Sequence, residues 1–126
     1  MSVREDCRYA QTHEWFHVDG DTVTVGITKF AADQLTDITY VELPDVGTDY
    51  AAGDSFGEIE SVKSTSDLYT AVAGSVIAVN EALADQPGLV NEDSQGEGWM
   101  IKLKASDLGS LEKLMDAAAY KSFTAE

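Results

Sequence analysis

Lys63 is the only basic residue between Lys29 and Lys102, a span of 72 residues that holds fourteen Asp and Glu. A lysine kept for solubility usually has basic neighbours or an i,i+4 carboxylate partner on a helix. This one stands instead between a strand-like pattern and a Ser/Thr/Asp cluster. From Ser55 to Val62 the apolar Phe56, Ile59 and Val62 interleave with Glu58, Glu60 and Ser61, as in a half-buried strand. Ser64, Thr65, Ser66 and Asp67 read as turn formers, Leu68 to Ala73 as a second extended run, Gly74-Ser75 as a break and Val76 to Val79 as a third run. Lys63 therefore falls at the tip of a hairpin. A displayed amine suits either a nucleophile or an attachment point for a prosthetic group. A nucleophilic lysine needs burial or a neighbouring cation to lower its pKa, whereas Glu58, Glu60 and Asp67 would keep this amine charged. Attachment is the favoured reading.

A second chemical pattern is His13-Glu14-Trp15-Phe16-His17, which satisfies the H-E-x-x-H spacing of zinc hydrolases. That chemistry needs a helix, so that both imidazoles reach one metal and the Glu acts on the attacking water. Here Asp19-Gly20 breaks the segment and Trp and Phe favour a strand, on which the two His would lie roughly 13 Å apart. These are the only two His and Cys7 is the only Cys, so no third ligand is evident short of a carboxylate, and a zinc hydrolase is set aside.

The elements around these residues read mainly as β. His13 to Val18 and Thr22 to Ile27 flank Asp19-Gly20-Asp21 as a hairpin. Thr28 can cap a short helix carrying Phe30, Ala31 and Leu35, ended by Thr36-Asp37. Ile38 to Leu43 is a strand stopped by Pro44-Asp45-Val46-Gly47, Pro87-Gly88 marks a loop, and Trp99 to Leu103 is a last strand. From Asp107, Leu108, Leu111, Leu114 and Met115 predict an amphipathic helix, followed by Asp116 capping a helix over Ala117 to Phe123. The expected fold is mainly β, a two-sheet sandwich or flattened barrel with one short internal helix and C-terminal helices.

At 126 residues and 44% hydrophobic content the chain suits one domain over 1–126, with a flexible N-terminus over 1–7 and a C-terminal helical segment over 107–126. The net charge of −15 argues against nucleic acid and against anionic membrane lipids, and favours steering toward basic partner surfaces. One cysteine allows no intramolecular disulfide and a reducing compartment. No apolar run approaches the ~20 residues of a membrane span, and Met1-Ser2-Val3-Arg4-Glu5-Asp6 is neither a signal peptide nor a transit sequence, so a cytoplasmic, bacterial-type protein is expected.

Glu60-Ser61-Val62-Lys63 followed by Ser66-Asp67-Leu68-Tyr69 resembles the lipoyl-attachment hairpin of the H-protein family of the glycine cleavage system. Other landmarks of that family follow in order: Tyr9 with His13-Glu14-Trp15, Val25-Gly26-Ile27-Thr28, Val41-Glu42-Leu43-Pro44, Val79-Asn80-Glu81, Leu89-Val90-Asn91-Glu92-Asp93 and Gly96-Glu97-Gly98-Trp99. The match runs from about Tyr9 to Phe123. Departures occur at Thr36, where Gly is common, and at Ala71, Ser94 and Gln95, where Pro, Pro and Tyr are common; they touch turns and strand ends, not the lysine.

The resemblance implies a lipoyl-domain type of β-sandwich in which Lys63 carries lipoic acid in amide linkage, attached by a lipoylating enzyme. It implies three partner enzymes. A pyridoxal-phosphate glycine decarboxylase (P-protein) loads the aminomethyl group of glycine, a tetrahydrofolate-dependent aminomethyltransferase (T-protein) unloads it, and dihydrolipoyl dehydrogenase (L-protein) reoxidises the arm. The chain itself would be a non-catalytic, monomeric carrier. The resemblance further implies a cleft for the loaded arm. The matching positions are Thr12, Glu14 and Asp67, with Gln34 where some members carry His, because a partly desolvated ammonium needs anionic, hydrogen-bonded partners. Trp15 and Trp99 read as core. The competing readings are an H-like protein that relays lipoyl groups and a lipoyl domain of a 2-oxo acid dehydrogenase complex. The latter would leave the His13-Glu14-Trp15 region, the Asn91-to-Trp99 region and the C-terminal helices unexplained.

Overall fold

Alternation in Thr22–Ile27 puts Val23, Val25 and Ile27 on one face, and all three are buried; this strand, β3, pairs antiparallel with β2 (Glu14–Asp19) around Gly20, whose φ of 65° suits the turn. The computed structural model describes residues 5–106 and 108–124. The described residues form nine strands, which add β1 (Cys7–Tyr9), β4 (Ile38–Glu42), β5 (Asp49–Tyr50), β6 (Ser55–Ser61), β7 (Thr65–Tyr69), β8 (Gly74–Val79) and β9 (Ile101–Ala105). They make two antiparallel sheets, one ordered β1-β2-β3-β9-β8-β5 and the other β4-β6-β7, stacked as a sandwich and not closed into a barrel. Phe16, Val25 and Leu103 of the larger sheet and Val41, Ile59 and Leu68 of the smaller share one core. Each such side chain contributes about 1.5–3 kcal/mol through burial.

The helices are short. Thr28 caps α1 (Lys29–Leu35) as expected, its Oγ1 accepting the Ala31 N–H at 3.2 Å. The helix ends at Thr36 with φ 64° and ψ −141°, a region in which a β-branched side chain costs about 1–3 kcal/mol. Two four-residue helices, α2 (Ala82–Asp85) and α3 (Leu89–Glu92), lie either side of the expected Pro87-Gly88 loop. The C-terminal α4 (Ala117–Thr124) is capped by Asp116, whose Oδ1 accepts the Ala119 N–H at 2.8 Å.

Several expectations are corrected. Thr65, Ser66 and Asp67 are strand, not turn, paired with Glu60, Ile59 and Glu58. The turn is confined to Val62–Ser64 because the Ser61 Oγ accepts the N–H groups of both Lys63 and Ser64, at 3.2 and 3.1 Å. The second run therefore ends at Tyr69, and Gly74 and Ser75 open β8, paired with Ala105 and Lys104. The last strand starts at Ile101 and not at Trp99. The amphipathic helix expected from Asp107, a residue outside those described, is a 3-10 turn over Gly109–Lys113. Burial of Leu111 fixes that turn, and Met115 turns away to exchange two backbone hydrogen bonds with Tyr9, at 2.8 and 3.1 Å. Of the flexible N-terminus read over 1–7, residues 1–4 lie outside the described ones; Cys7 is in β1, 3% exposed and paired with His17, because its small apolar side chain joins a second core with Tyr9, Trp15, Ala117 and Tyr120.

The strand that ends at the lysine turn depends on Gly57. A Cβ there would stand 2.1 Å from the Glu42 carbonyl oxygen, where β4 crosses a β-bulge of β6. Gly57→Ala should cost about 2–3 kcal/mol in urea denaturation, since the obstacle is backbone; an unchanged midpoint would contradict the close approach.

Candidate functional site

Lys63 sits in a turn that is itself rigid. Besides the two bonds to Ser61 Oγ, the Ser61 N–H donates to the Ser64 carbonyl at 2.8 Å, and the Val62 N–H donates to the Asp37 carbonyl at 3.1 Å. Val62 is 69% exposed and Lys63 is exposed beside it. The Lys63 ammonium reaches the C-terminal end of α1, where its Nζ donates to the Gln34 carbonyl at 3.2 Å. A cation there meets the negative end of a helix. The amine is thus displayed to solvent and leans toward α1.

Between α1 and β7 lies a cleft of about 160 Å³. Its walls are Ile27, Ala31, Leu35, Ile59 and Leu68, and its polar end is Thr12, Glu14 and Asp67. Leu35 follows the residue whose carbonyl holds the Lys63 amine, so the lysine stands at the rim. A second groove of about 310 Å³ shares Thr12 and Glu14 and continues past Phe16, Tyr69 and Ala71.

Glu14 is the electrostatic centre of the cleft. It is 1% exposed, and its carboxylate accepts from the Thr12 hydroxyl and, at 3.1 Å, from the Tyr69 N–H. Among the described residues it has no cationic partner in an ion pair. Burial pushes its pKa above the usual carboxylate value, against the opposing pull of the Thr12 and Tyr69 hydrogen bonds. Asp67 is exposed, and its Oδ2 accepts from the Tyr69 hydroxyl at 3.4 Å. The arrangement is a narrow apolar slot closed by two carboxylates, one of them short of counter-charge. Such a lining can accept a cation whose stem is apolar.

The sequence model described as Glycine cleavage H-protein matches residues 7–126. A glycine cleavage system H protein of Anaeromyxobacter sp. is 52% identical over 126 residues, covering 100% of this chain and 98% of that one. The mitochondrial glycine cleavage system H protein 2 of Arabidopsis thaliana is 51% identical over 98% of this chain and 80% of its own. A crystal structure of a glycine cleavage system H protein from Mycobacterium marinum superposes with a TM-score of 0.90 at 34% identity, covering 98% of this chain and 100% of that one. The chain belongs to the glycine cleavage H-protein family. Its role is that of the lipoyl-carrying shuttle of the glycine cleavage system.

In this chain the three cleft positions named from the sequence, Thr12, Glu14 and Asp67, line one slot. Gln34 does not: its exposed side chain is outside the lining, and it enters the site through its backbone carbonyl. Sequence reasoning missed His13, Ile27, Leu35, Leu68 and the Tyr69 N–H. The apolar spacing along β3, α1 and β7 could have flagged Ile27, Leu35 and Leu68, whereas a backbone donor leaves no mark on residue type. The two His of the H-E-x-x-H pattern have separate partners. His13, with φ 74°, bends the chain into β2 and its Nδ1 meets the Tyr120 hydroxyl at 2.8 Å, while His17 Nε2 lies 3.2 Å from Asp6.

The raised pKa of Glu14 has a definite sign in stability. The folded state disfavours the ionised form, so this group's contribution is fully present below its unfolded pKa and is lost as pH rises through its higher folded pKa. Glu14→Gln, which keeps an acceptor for the Tyr69 N–H, should therefore gain melting temperature relative to the native chain as pH is raised from about 4 to about 7.5. A difference that stays flat across that range, in melts followed by circular dichroism, would contradict a desolvated Glu14.

Proposed function

We propose that Lys63 carries lipoic acid in amide linkage and that the Thr12, Glu14 and Asp67 end of the adjoining cleft receives the amine of the loaded arm. The observation that carries this reading is the buried Glu14 carboxylate, short of counter-charge, at the end of an apolar slot whose rim bears the only lysine between Lys29 and Lys102. The residues present fit the group: an exposed primary amine offers the acylation point, and Ile27, Ala31, Leu35, Ile59 and Leu68 offer apolar walls to a thiol-bearing alkyl chain. When bound, the lipoyl group supplies the redox-active disulfide that accepts the one-carbon amine.

The chain's own residues bind, orient and protect. The Lys63 turn, locked by Ser61, keeps the attachment point from collapsing onto the sheet. Glu14, with Thr12 and the Tyr69 N–H fixing its two oxygens, presents a preorganised acceptor to an ammonium. Pairing there compensates the desolvation of both charges, so an amine at this place keeps its proton and its lone pair stays occupied. The apolar walls exclude water from its stem.

The chain acts in this reading as a non-catalytic, monomeric, single-domain carrier in the cytoplasm. Its partners are a lipoylating enzyme, the pyridoxal-phosphate glycine decarboxylase (P-protein), the folate-dependent aminomethyltransferase (T-protein) and dihydrolipoyl dehydrogenase (L-protein). A net charge of −15 supports fast, salt-sensitive encounter with basic docking surfaces. Among the described residues no helix is long and apolar enough to cross a membrane.

The test is intact mass with peptide mapping after incubation with lipoate, ATP and a lipoate ligase. One lipoyl increment on Lys63 is expected, and none on Lys63→Arg, which should lose carrier activity while its stability stays within about 0.5 kcal/mol of the native chain. No increment with a ligase active on a control substrate would sink the proposal. Raising ionic strength from about 0.05 to 0.3 M should raise the partner enzymes' KM for the carrier and leave kcat in place; an insensitive KM would remove the steering role of the acidic surface.

A further inference from the structure

The corner between α1 and β4 is where the lysine turn rests. The Val62 N–H donates to the Asp37 carbonyl at 3.1 Å, the Lys63 Nζ donates to the Gln34 carbonyl at 3.2 Å, and Ile38 pairs with Ser61. That corner is not relaxed by itself, since Thr36 is held at φ 64° with a branched Cβ. One side chain from elsewhere holds it. Asn91 on α3 donates from Nδ2 to the Thr36 carbonyl at 2.7 Å and accepts from the Ile38 N–H at Oδ1 at 2.9 Å, so its amide grips the peptide groups on both sides of Asp37. Asn91 is anchored in turn by α3, where its N–H donates to the Gly88 carbonyl at 3.0 Å and its neighbour Val90 is fully buried.

We propose that Asn91 is a positioning residue for the carrier lysine: by fixing the peptide groups flanking Asp37 it fixes the carbonyl that tethers Val62, and so sets where Lys63 stands relative to the mouth of the Glu14 cleft. The geometry asks for Asn and for no other common side chain. Asp at 91 keeps the acceptor for Ile38 but sets a carboxylate oxygen against the Thr36 carbonyl, and Ala supplies neither bond. The Thr36 carbonyl then loses the donor that holds it, its N–H remaining on the Ala32 carbonyl, and the corner can relax from its unfavourable conformation and shift the Asp37 carbonyl relative to Val62. Asn91 lies outside the residues lining the cleft, so its effect on a loaded arm would be exerted through the corner.

The proposal rests on the carrier reading only for its functional consequence, and its first test does not need the lipoyl group. Amide hydrogen exchange of the unmodified protein, followed residue by residue, should show Val62 exchanging about tenfold faster or more in Asn91→Asp and Asn91→Ala, with Val25 in the main sheet unchanged. Asn91→Asp serves if Asn91→Ala fails to fold. In lipoylated protein loaded by glycine decarboxylase with glycine, spontaneous ammonia release should be about five- to tenfold faster in the variant, as the rim is misplaced. A lowered melting temperature with Val62 exchange unchanged would make Asn91 merely structural and overturn the proposal. Faster Val62 exchange with unchanged ammonia release would overturn it as well. Absence of a lipoyl increment on Lys63 of the native chain sinks the carrier reading instead, a result that flat Val62 exchange cannot produce.

Discussion

A carboxylate that is 1% exposed has lost its water, and at Glu14 two donors stand in for it. Both depend on chain geometry. The Thr12 hydroxyl is in reach only because the chain bends through His13 at φ 74°, with the His13 N–H on the Ala10 carbonyl at 2.9 Å and its carbonyl accepting from Thr28 at 2.9 Å. The Tyr69 N–H is available only because β7 is an edge of its sheet and spends that donor on Glu14 instead of on another strand. The carboxylate thus ties the two sheets together at the point where the cleft opens. An unpaired charge is a poor stabiliser at such a junction. Its place fits the proposed reading, in which the carboxylate is held ready for a visiting cation.

The bend at His13 is buttressed from the C-terminus. The Tyr120 hydroxyl contacts His13 Nδ1 at 2.8 Å and Thr28 Oγ1 at 2.7 Å, and Tyr120 stacks on Tyr9 with ring centroids 4.6 Å apart. Burial pushes the Tyr120 phenol up to about 12 and lowers the His13 pKa, so the pair stays neutral across the physiological range. Thr28 serves two ends at once, capping α1 and meeting Tyr120. The last helix therefore reaches the cleft through one hydroxyl, which couples α1, the β1–β2 loop and α4 into one wall.

Features set by a few consecutive residues were legible in the sequence. The Gly20 hairpin, the Thr28 and Asp116 caps and the exposed lysine turn depend on local chemistry, and each lies where its residues put it. What could not be read depends on distant partners. Thr65 to Asp67 have turn-former composition but find strand partners in β6, because Ser61 already closes the turn. Leu108 to Met115 have helical spacing, yet Met115 pairs with Tyr9, over a hundred positions away. In the cleft, Glu14 and Asp67 were named as side chains only through the family resemblance, whereas the Gln34 contribution is a carbonyl and the Asn91 clamp is visible only once α3 is set against α1.

The Tyr9–Met115 pairing has a wider consequence. β1 would otherwise present one border of the larger sheet as a row of unpaired amides, a template for a passing strand. Met115 occupies part of that border and α4 packs over it, while the opposite border, β5, is only two residues long. On the smaller sheet, Glu14 occupies an amide of the β7 edge. At these three borders a molecule that works as a shuttle is thereby spared a strand edge that would adhere to its own copies.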